Sequence, residues 1–328
     1  MKIYNHSLLY KLQSLYRKIN LIIECVFEKE TGSNSVIYDG IEAKSIIRAK
    51  LDSDEPCMIC RFGSNELQCI CNYLGVVSSH KSYIKFVKGE INEWWWRDDL
   101  LKNMYHNAGF FPADTENLKK YAQLCLNDIP EIDILGSWLE KEKFVNSFMS
   151  NDIKRVKIRQ LEPDWYVNDP SQEWTQCLKG KRVLVVHPFV ETIKDQYKNN
   201  RRLLFASKNL LPEFELKTLK AVQSVGGNTE FKTWFDALEW MEEEMGKIEY
   251  DVALIGCGAY GFNLAAYAKR SGKKAIHLGG ATQLLFGIIG KRWEERDYYK
   301  ILFNQYWVRP KDDERPRTAE KIENGCYW

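Results

Sequence analysis

A short apolar run that ends in closely spaced glycines and opens into a helix leaves a chain few folding options, and residues 250–271 carry such a run. Residues 250–255 read as a buried strand, Gly256-x-Gly258-x-x-Gly261 as a tight turn, and residues 260–271 as a helix. Glycines at this spacing let backbone approach a diphosphate and place it at the helix N-terminus, where unpaired N–H groups favour negative charge. The same residues also serve as a purely structural turn. Upstream, residues 182–186 form a β-branched run ending at His187-Pro188, residues 214–222 a further candidate strand, and residues 234–245 a helix; residues 275–278 form another strand downstream. Strands alternating with helices imply βαβ units. The expected fold class is therefore α/β, a Rossmann-like parallel sheet with helices on both faces, plus an α-rich N-terminal portion. Ligands of such sheets sit outside the carboxyl ends of the strands.

The first half is less regular. In residues 1–30, Leu8, Leu12, Leu15, Ile19, Ile22 and Val26 recur at spacings of three and four, whereas Lys11, Arg17 and Lys18 fall elsewhere. That stripe predicts a helix docked on its own subunit, a dimerisation seam, or a basic helix on a membrane surface. A Gly/Ser/Asn loop (31–35), a helix (41–51) and a buried strand (56–62) follow. The strand opens into Gly63-Ser64-Asn65-Glu66, where Ser64 or Asn65 is placed to cap a helix carrying Leu67, Ile70, Cys71 and Leu74. Residues 90–148 read as mainly helical, with a Gly-Phe-Phe-Pro break at 109–112 and a helix near 116–126. The loop-like stretch 161–180 is the best boundary. The expected division is an N-terminal helix and linker (1–35), an α/β portion with the Arg61–Glu66 glycine turn and a helical insertion (36–165), and a Rossmann-like nucleotide-binding portion (166–328).

Composition narrows the function classes. The 328 residues, 45% hydrophobic and 28% charged, suit one large or two medium domains. Because 47 basic and 45 acidic residues are interspersed, nothing marks a dedicated nucleic-acid surface, and an acidic ligand needs a local site. Nine scattered cysteines read as free thiols in a reducing compartment. There is no apolar run of about 20 residues and no export signal, so the expected location is cytoplasmic, with membrane association at the inner face left to the N-terminal helix. The eleven Trp offer either core or stacking surfaces for sugar rings and bases.

Several constellations carry chemistry. A dinucleotide fold needs an acidic ribose ligand about 20 residues beyond its glycines, and here the next strand ends in His277. An NAD-dependent oxidoreductase is thereby disfavoured, while a nucleotide diphosphate fits. His277-Leu278-Gly279-Gly280-Ala281-Thr282-Gln283 forms a second strand-end loop, and Lys291-Arg292 adds cationic groups beside it; Arg suits bidentate phosphate contact. Arg61 and Glu66 flank the first glycine turn, where Glu66 could ligate a divalent ion or act as a base. Cys57 and Cys60 should point to opposite faces of a strand, which argues against zinc with Cys69 and Cys71. His187 and His277, at predicted strand ends, are catalytic or core histidines. Gly-x-Ser-x-Gly, Walker and His-Glu-x-x-His motifs do not occur.

Arg61-Phe62-Gly63-Ser64-Asn65-Glu66-Leu67 resembles the Arg-aromatic-Gly-Asp-Gly-Glu segment of bacterial glycosyltransferases of the GT-D fold. The similarity extends to residues 107–112, 133–138, 186–189, 251–261, 279–283, 286–293 and 325–328, so it covers roughly residues 40–328. These segments look like a subgroup of that family found in surface-polysaccharide clusters. The resemblance implies transfer of a sugar from a nucleotide-sugar donor to a glycan acceptor, with an Asp-x-Glu pair near the donor diphosphate and its Mn or Mg ion. Here Ser64 stands at the Asp position and Glu66 is retained, a substitution that weakens, moves or removes the metal requirement. Without metal, the departing diphosphate would rest on backbone dipoles, Arg61, Lys291 and Arg292. Glu66, Asp133 and His187 are the candidate bases, in that order. Gly63, Ser64, Asn65, Gly256, Gly258, Tyr260, Gly261, His277, Gly279, Gly280, Thr282 and Gln283 are the candidate binding residues. A non-catalytic nucleotide- or glycan-binding scaffold is the alternative.

Overall fold

The computed structural model describes residues 15–16, 36–224, 230–316 and 325–328. Its centre is one eight-stranded sheet in the order β1-β4-β3-β2-β8-β7-β5-β6, parallel at every pairing. The strands are β1 (Ile37–Tyr38), β2 (Cys57–Cys60), β3 (Ile134–Ser137), β4 (Lys154–Lys157), β5 (Arg182–His187), β6 (Glu215–Lys220), β7 (Val252–Ile255) and β8 (Lys274–His277). The principal helices are α1 (Gly40–Asp52), α2 (Ser64–Val77), α3 (Asp98–His106), α4 (Thr115–Asp128), α5 (Val190–Asn200), α6 (Trp234–Lys247) and α7 (Tyr260–Arg270). The chain is thus an α/β Rossmann-like fold, as the alternation of strands and helices predicts.

Side-chain alternation along the strands divides the core into two layers. Met58, Cys60, Leu184, Val186, Ala253 and Ile255 face α2, α3, α4, α6 and α7. Cys57, Ile59, Val183, Val185, Val252, Leu254 and Ile276 face α1, α5 and the irregular segments around Trp165, Trp174 and Trp307. Strands buried on both faces read as continuous apolar runs, which is why β2, β5, β7 and β8 are visible in sequence. Cys57 and Cys60 lie in opposite layers, as an extended strand requires. The eight described cysteines are free and buried.

Three strands escape the sequence reading: the two-residue edge strand β1, and β3 and β4. β3 lies inside the stretch read as mainly helical, and β4 lies between that stretch and the expected boundary. β3 is four residues, Ile-Leu-Gly-Ser, too short to show a period. A Cβ on Gly136 would approach Leu161 Cδ1 to 2.5 Å, so that glycine marks close packing and not a turn. β4 reads as polar because Arg155 is buried through an ion pair to Glu142 at 3.1 Å. The 161–180 stretch is a series of 3₁₀ turns whose Leu161, Trp165, Trp174 and Leu178 enter the core. The N-terminal helix predicted at 1–30 lies outside the described residues apart from Leu15 and Tyr16, and the 31–35 loop lies wholly outside them. No helix among the described residues is long and apolar enough to cross a membrane.

The pairing of β2 with β8, Met58 opposite Ala275, joins the strands of the first half to those of the second. Next to it, α7 lies so close to β8 that a Cβ on Gly261 would overlap the His277 ring. Gly261→Ala is therefore expected to cost about 1–3 kcal/mol through overpacking, measured as a lower urea midpoint at unchanged slope. An unchanged midpoint would show that α7 can move away from the sheet.

Candidate functional site

The carboxyl ends of β2, β3, β5, β7 and β8 open on one side of the sheet into a cleft of about 360 Å³. Arg61 to Glu66 follow β2, Trp138 follows β3, His187 ends β5, Gly256 and Gly258 follow β7, and His277, Gly279 and Gly280 come from the end of β8 and its loop. Tyr260, Gln283, Arg292, Arg296, Tyr327 and Trp328 complete much of the wall. Chain segments far apart in sequence meet here because all eight strands run the same way.

The glycine turn after β2 differs from its expected capping. Gly63, not Ser64 or Asn65, is the N-cap of α2, and it supplies no side-chain hydrogen bond. Ser64 and Asn65 are the first two helical residues, so their backbone N–H groups belong to the unpaired first turn. The Glu66 carboxylate folds back over Gly63, occupying the space a Cβ there would need. The turn after β7 uses its glycines separately. Gly258 has φ +59°, which favours glycine, and Gly256 leaves room for Thr282 Oγ1, which a Cβ would approach to 2.5 Å.

Charge in the cleft is one-sided. Among the described lining residues stand three guanidiniums, Arg61, Arg292 and Arg296, and one carboxylate, Glu66. The Arg61 Cζ lies 4.8 Å from the Trp138 ring centre, and Arg292 Cζ lies 4.6 Å from that of Tyr327. Burial lowers the pKa of Arg61, Glu66 raises it, and Arg292 lowers it further. Trp138, 45% exposed and tied to Phe62 O through Nε1 at 3.0 Å, presents a fixed aromatic face beside the cleft.

Both histidines are buried and neutral. Phe189 N–H donates to His187 Nδ1 at 3.0 Å, which places the ring's one proton on Nε2. Burial pushes His187 down to about 3. His187 is thus better suited to donate a hydrogen bond than to act as a base near neutrality, which corrects its place among the candidate bases. Burial and then the Arg61 charge push His277 down to about 3 as well.

Four sequence candidates are not among the residues that line the cleft. Asp133 sits at the amino edge of the sheet, accepting from Met58 N at 2.9 Å and pairing with Lys50 (2.8 Å) and Lys269 (2.9 Å). It fastens β2 to β3 and is removed from the catalytic candidates. Gly261 packs against His277, Thr282 is fully buried and donates to Ile255 O at 3.3 Å, and Lys291 is exposed. The others reach the lining: Arg61, Gly63, Ser64, Asn65, Glu66, His187, Gly256, Gly258, Tyr260, His277, Gly279, Gly280, Gln283 and Arg292. Sequence reasoning passed over Trp138, Arg296, Tyr327 and Trp328 as site residues. Recognising β3 would have exposed Trp138, since the residue after a parallel strand lies at the ligand edge.

The implied divalent ion meets a poor donor set. Among the described residues, Glu66 is the single side-chain carboxylate of the lining and is attracted to Arg61, Ser64 offers only a hydroxyl, and no group of three or more His, Cys, Asp or Glu gathers. Hard cations favour several oxygen ligands, with anionic ones prominent, and three guanidiniums repel them. The residues present do not fit the ion.

No protein-family model matches this chain, and no curated protein matches it. Among solved structures, one titled "Selenomethionine substituted structure of domain of unknown function 1792" is similar to it. That similarity has 13% identity and a TM-score of 0.37, covering 87% of this chain and 94% of the other.

Two measurements follow from these placements. Burial pushes the Asp133 carboxyl up, but Lys50, Lys269 and the Met58 N–H outweigh it and hold it below its ordinary value. Asp133→Ala should lower unfolding free energy by about 1–3 kcal/mol at neutral pH, while leaving ligand affinity intact. Its penalty should shrink as pH falls through the lowered pKa, because the folded-state advantage of the carboxylate exists only while it is ionised. For the histidines the sign is acid loss. An unfolded histidine protonates near pH ~6.5 and the folded ones near about 3, so between these values the unfolded chain binds more protons and stability falls on acidification. His187→Gln should flatten the loss of melting temperature between about pH 7 and about pH 5. A wild-type His187 ring that titrates above about pH 6 by NMR would contradict the burial argument.

Proposed function

We propose that this chain is a glycosyltransferase that moves a sugar from a nucleotide-sugar donor onto a growing cell-surface glycan such as lipopolysaccharide, capsule or exopolysaccharide. The observation that carries the reading is the cleft's charge pattern at the carboxyl edge of a parallel sheet: among the described lining residues, three guanidiniums and one side-chain carboxylate, Glu66, on the first turn of α2. Arg61, Glu66, Trp138, His187 and Arg292 of the lining fall in segments that carry the resemblance to GT-D glycosyltransferases, whereas Arg296 does not.

Each group has a role in such a transfer. Arg61 and Arg292 neutralise the diphosphate as the bond from the anomeric carbon to its oxygen breaks, when negative charge grows on the leaving group. The His187 Nε2–H donates to a ligand oxygen. The Trp138 face stacks on a sugar ring, whose C–H bonds suit an apolar aromatic surface. Glu66 takes the proton of the acceptor hydroxyl as that oxygen attacks, as an inverting transfer requires. On this reading the chain works in the cytoplasm, with the predicted N-terminal helix as the segment for any association with the inner face of the membrane.

A panel of nucleotide sugars tests the reading by donor hydrolysis and by transfer. Glu66→Gln should lower turnover by about 10²–10⁴-fold while leaving the thermal midpoint near wild type and donor affinity undiminished. Full turnover in that variant would remove Glu66 from the chemistry. Donor binding without hydrolysis or transfer in the wild type would favour a nucleotide- or glycan-binding scaffold.

A further inference from the structure

We infer that the cleft binds the diphosphate of its ligand on two stacked guanidiniums, Arg61 and Arg292, without a divalent cation. The word diphosphate rests on the donor reading above; the anion site itself rests on geometry. Arg61 leaves the end of β2 and is oriented from two sides. Its Nε donates to Phe62 O at 3.2 Å, and the same carbonyl accepts Trp138 Nε1 at 3.0 Å, so one backbone oxygen fixes both the guanidinium and its aromatic platform. Gly279, at φ +62°, keeps the space in front of it open: a Cβ there would come 3.0 Å from Arg61 Nη1.

Arg292 is built the same way from unrelated sequence. Its Nη1 donates to Tyr327 Oη at 3.0 Å, its backbone N–H donates to Cys326 O at 2.9 Å, and its guanidinium lies over the Tyr327 ring. Gly280 makes room for that ring, since a Cβ would fall 2.7 Å from Tyr327 Cε1. Adjacent glycines therefore clear space for the two halves of the site, Gly279 for Arg61 and Gly280 for the platform of Arg292.

Guanidiniums gathered on one cleft wall offer a site whose charge an anion complements. Arg292 lowers the pKa of Arg61, as mutual repulsion requires, and Arg296 adds a third positive group to the same lining. Glu66 offsets one of these charges. A planar guanidinium is weakly hydrated, stacks on aromatic faces and meets phosphate oxygens with two parallel N–H groups, so each of the two stacked guanidiniums suits one phosphate of a diphosphate. A dication would enter against these guanidiniums, with Glu66 the one carboxylate among the described lining residues. The Ser64 hydroxyl, standing where the resembling family has a carboxylate, then belongs to a site that has moved its positive charge from a metal onto side chains.

Titration calorimetry on the full chain decides the matter, with UDP, GDP, ADP and inorganic pyrophosphate as probes, each in EDTA and in manganese. Affinity in EDTA should stay within about twofold of its value in manganese, and it should fall with added salt. Arg61→Lys and Arg292→Lys keep the charge but lose the planar fork, and each should weaken binding by about tenfold or more. Trp138→Leu, which leaves both arginines in place, should weaken it less, because it removes only the platform of Arg61. Unfolding midpoints of the variants separate site loss from misfolding, and the EDTA comparison needs no variant. Binding that disappears in EDTA and returns with manganese overturns the inference, as does failure of every probe to bind. Metal-free binding with no hydrolysis or transfer of any nucleotide sugar leaves the anion site standing and defeats the transferase reading. Transfer that occurs only with manganese does the reverse.

Discussion

The contact on which the site depends is the parallel pairing of β2 with β8. Strand sets from the two halves of the chain meet at that seam, with Cys57 opposite Lys274, Met58 opposite Ala275 and Ile59 opposite Ile276. Because the strands end together, the residues that follow them are neighbours: Arg61 meets Gly279, and burial beside Arg61 keeps His277 uncharged. Shifting the register by one residue would exchange the faces of β2, moving Met58 and Cys60 into the layer built for Cys57 and Ile59. Side chains on both faces therefore pin the register, and with it the position of the guanidinium.

The sheet also separates charge by edge. At its amino edge, carboxylates fasten strands together by one repeated device. Asp133, just before β3, accepts from the backbone N–H of Met58 in β2, and Asp251, just before β7, accepts from the backbone N–H of Arg182 in β5 at 2.8 Å. Each returns its own N–H to the carbonyl of the same partner, at 3.0 Å and 2.9 Å. Cations close both clamps, Lys50 and Lys269 on the first and Arg182 on the second. At the carboxyl edge the order is reversed, with guanidiniums exceeding carboxylates and the two buried histidines held neutral. The two aspartate clamps thus lie at the edge away from the groups suited to receive an anion.

Much of this arrangement is legible in the chain. β2, β5, β7 and β8 are apolar runs ended by glycine or histidine, and the helices after β2 and β7 begin where glycine turns predict. Asp133 shows how the reading can go wrong at a single residue. Its position immediately before an apolar run puts it at the start of a strand, hence at the amino edge, but that follows only once residues 134–137 are known to be a strand. Read within a helical stretch, the same carboxylate looks free to enter a cleft. Trp138 was passed over for the complementary reason, since the end of an unrecognised strand is an unrecognised ligand edge.

Local sequence determined the strands with long apolar runs, the glycine turns, the parallel α/β class and the presence of Arg61, Glu66 and Arg292 near turns, because periodicity and φ preferences act over a few residues. Tertiary structure alone decided that Arg61 and Arg292 share one cleft, that Trp138 and Tyr327 become their platforms, and that Lys291 and Asp133 lie elsewhere. Those outcomes depend on strand order and register, and therefore on contacts between residues from tens to more than two hundred positions apart, which no local pattern encodes.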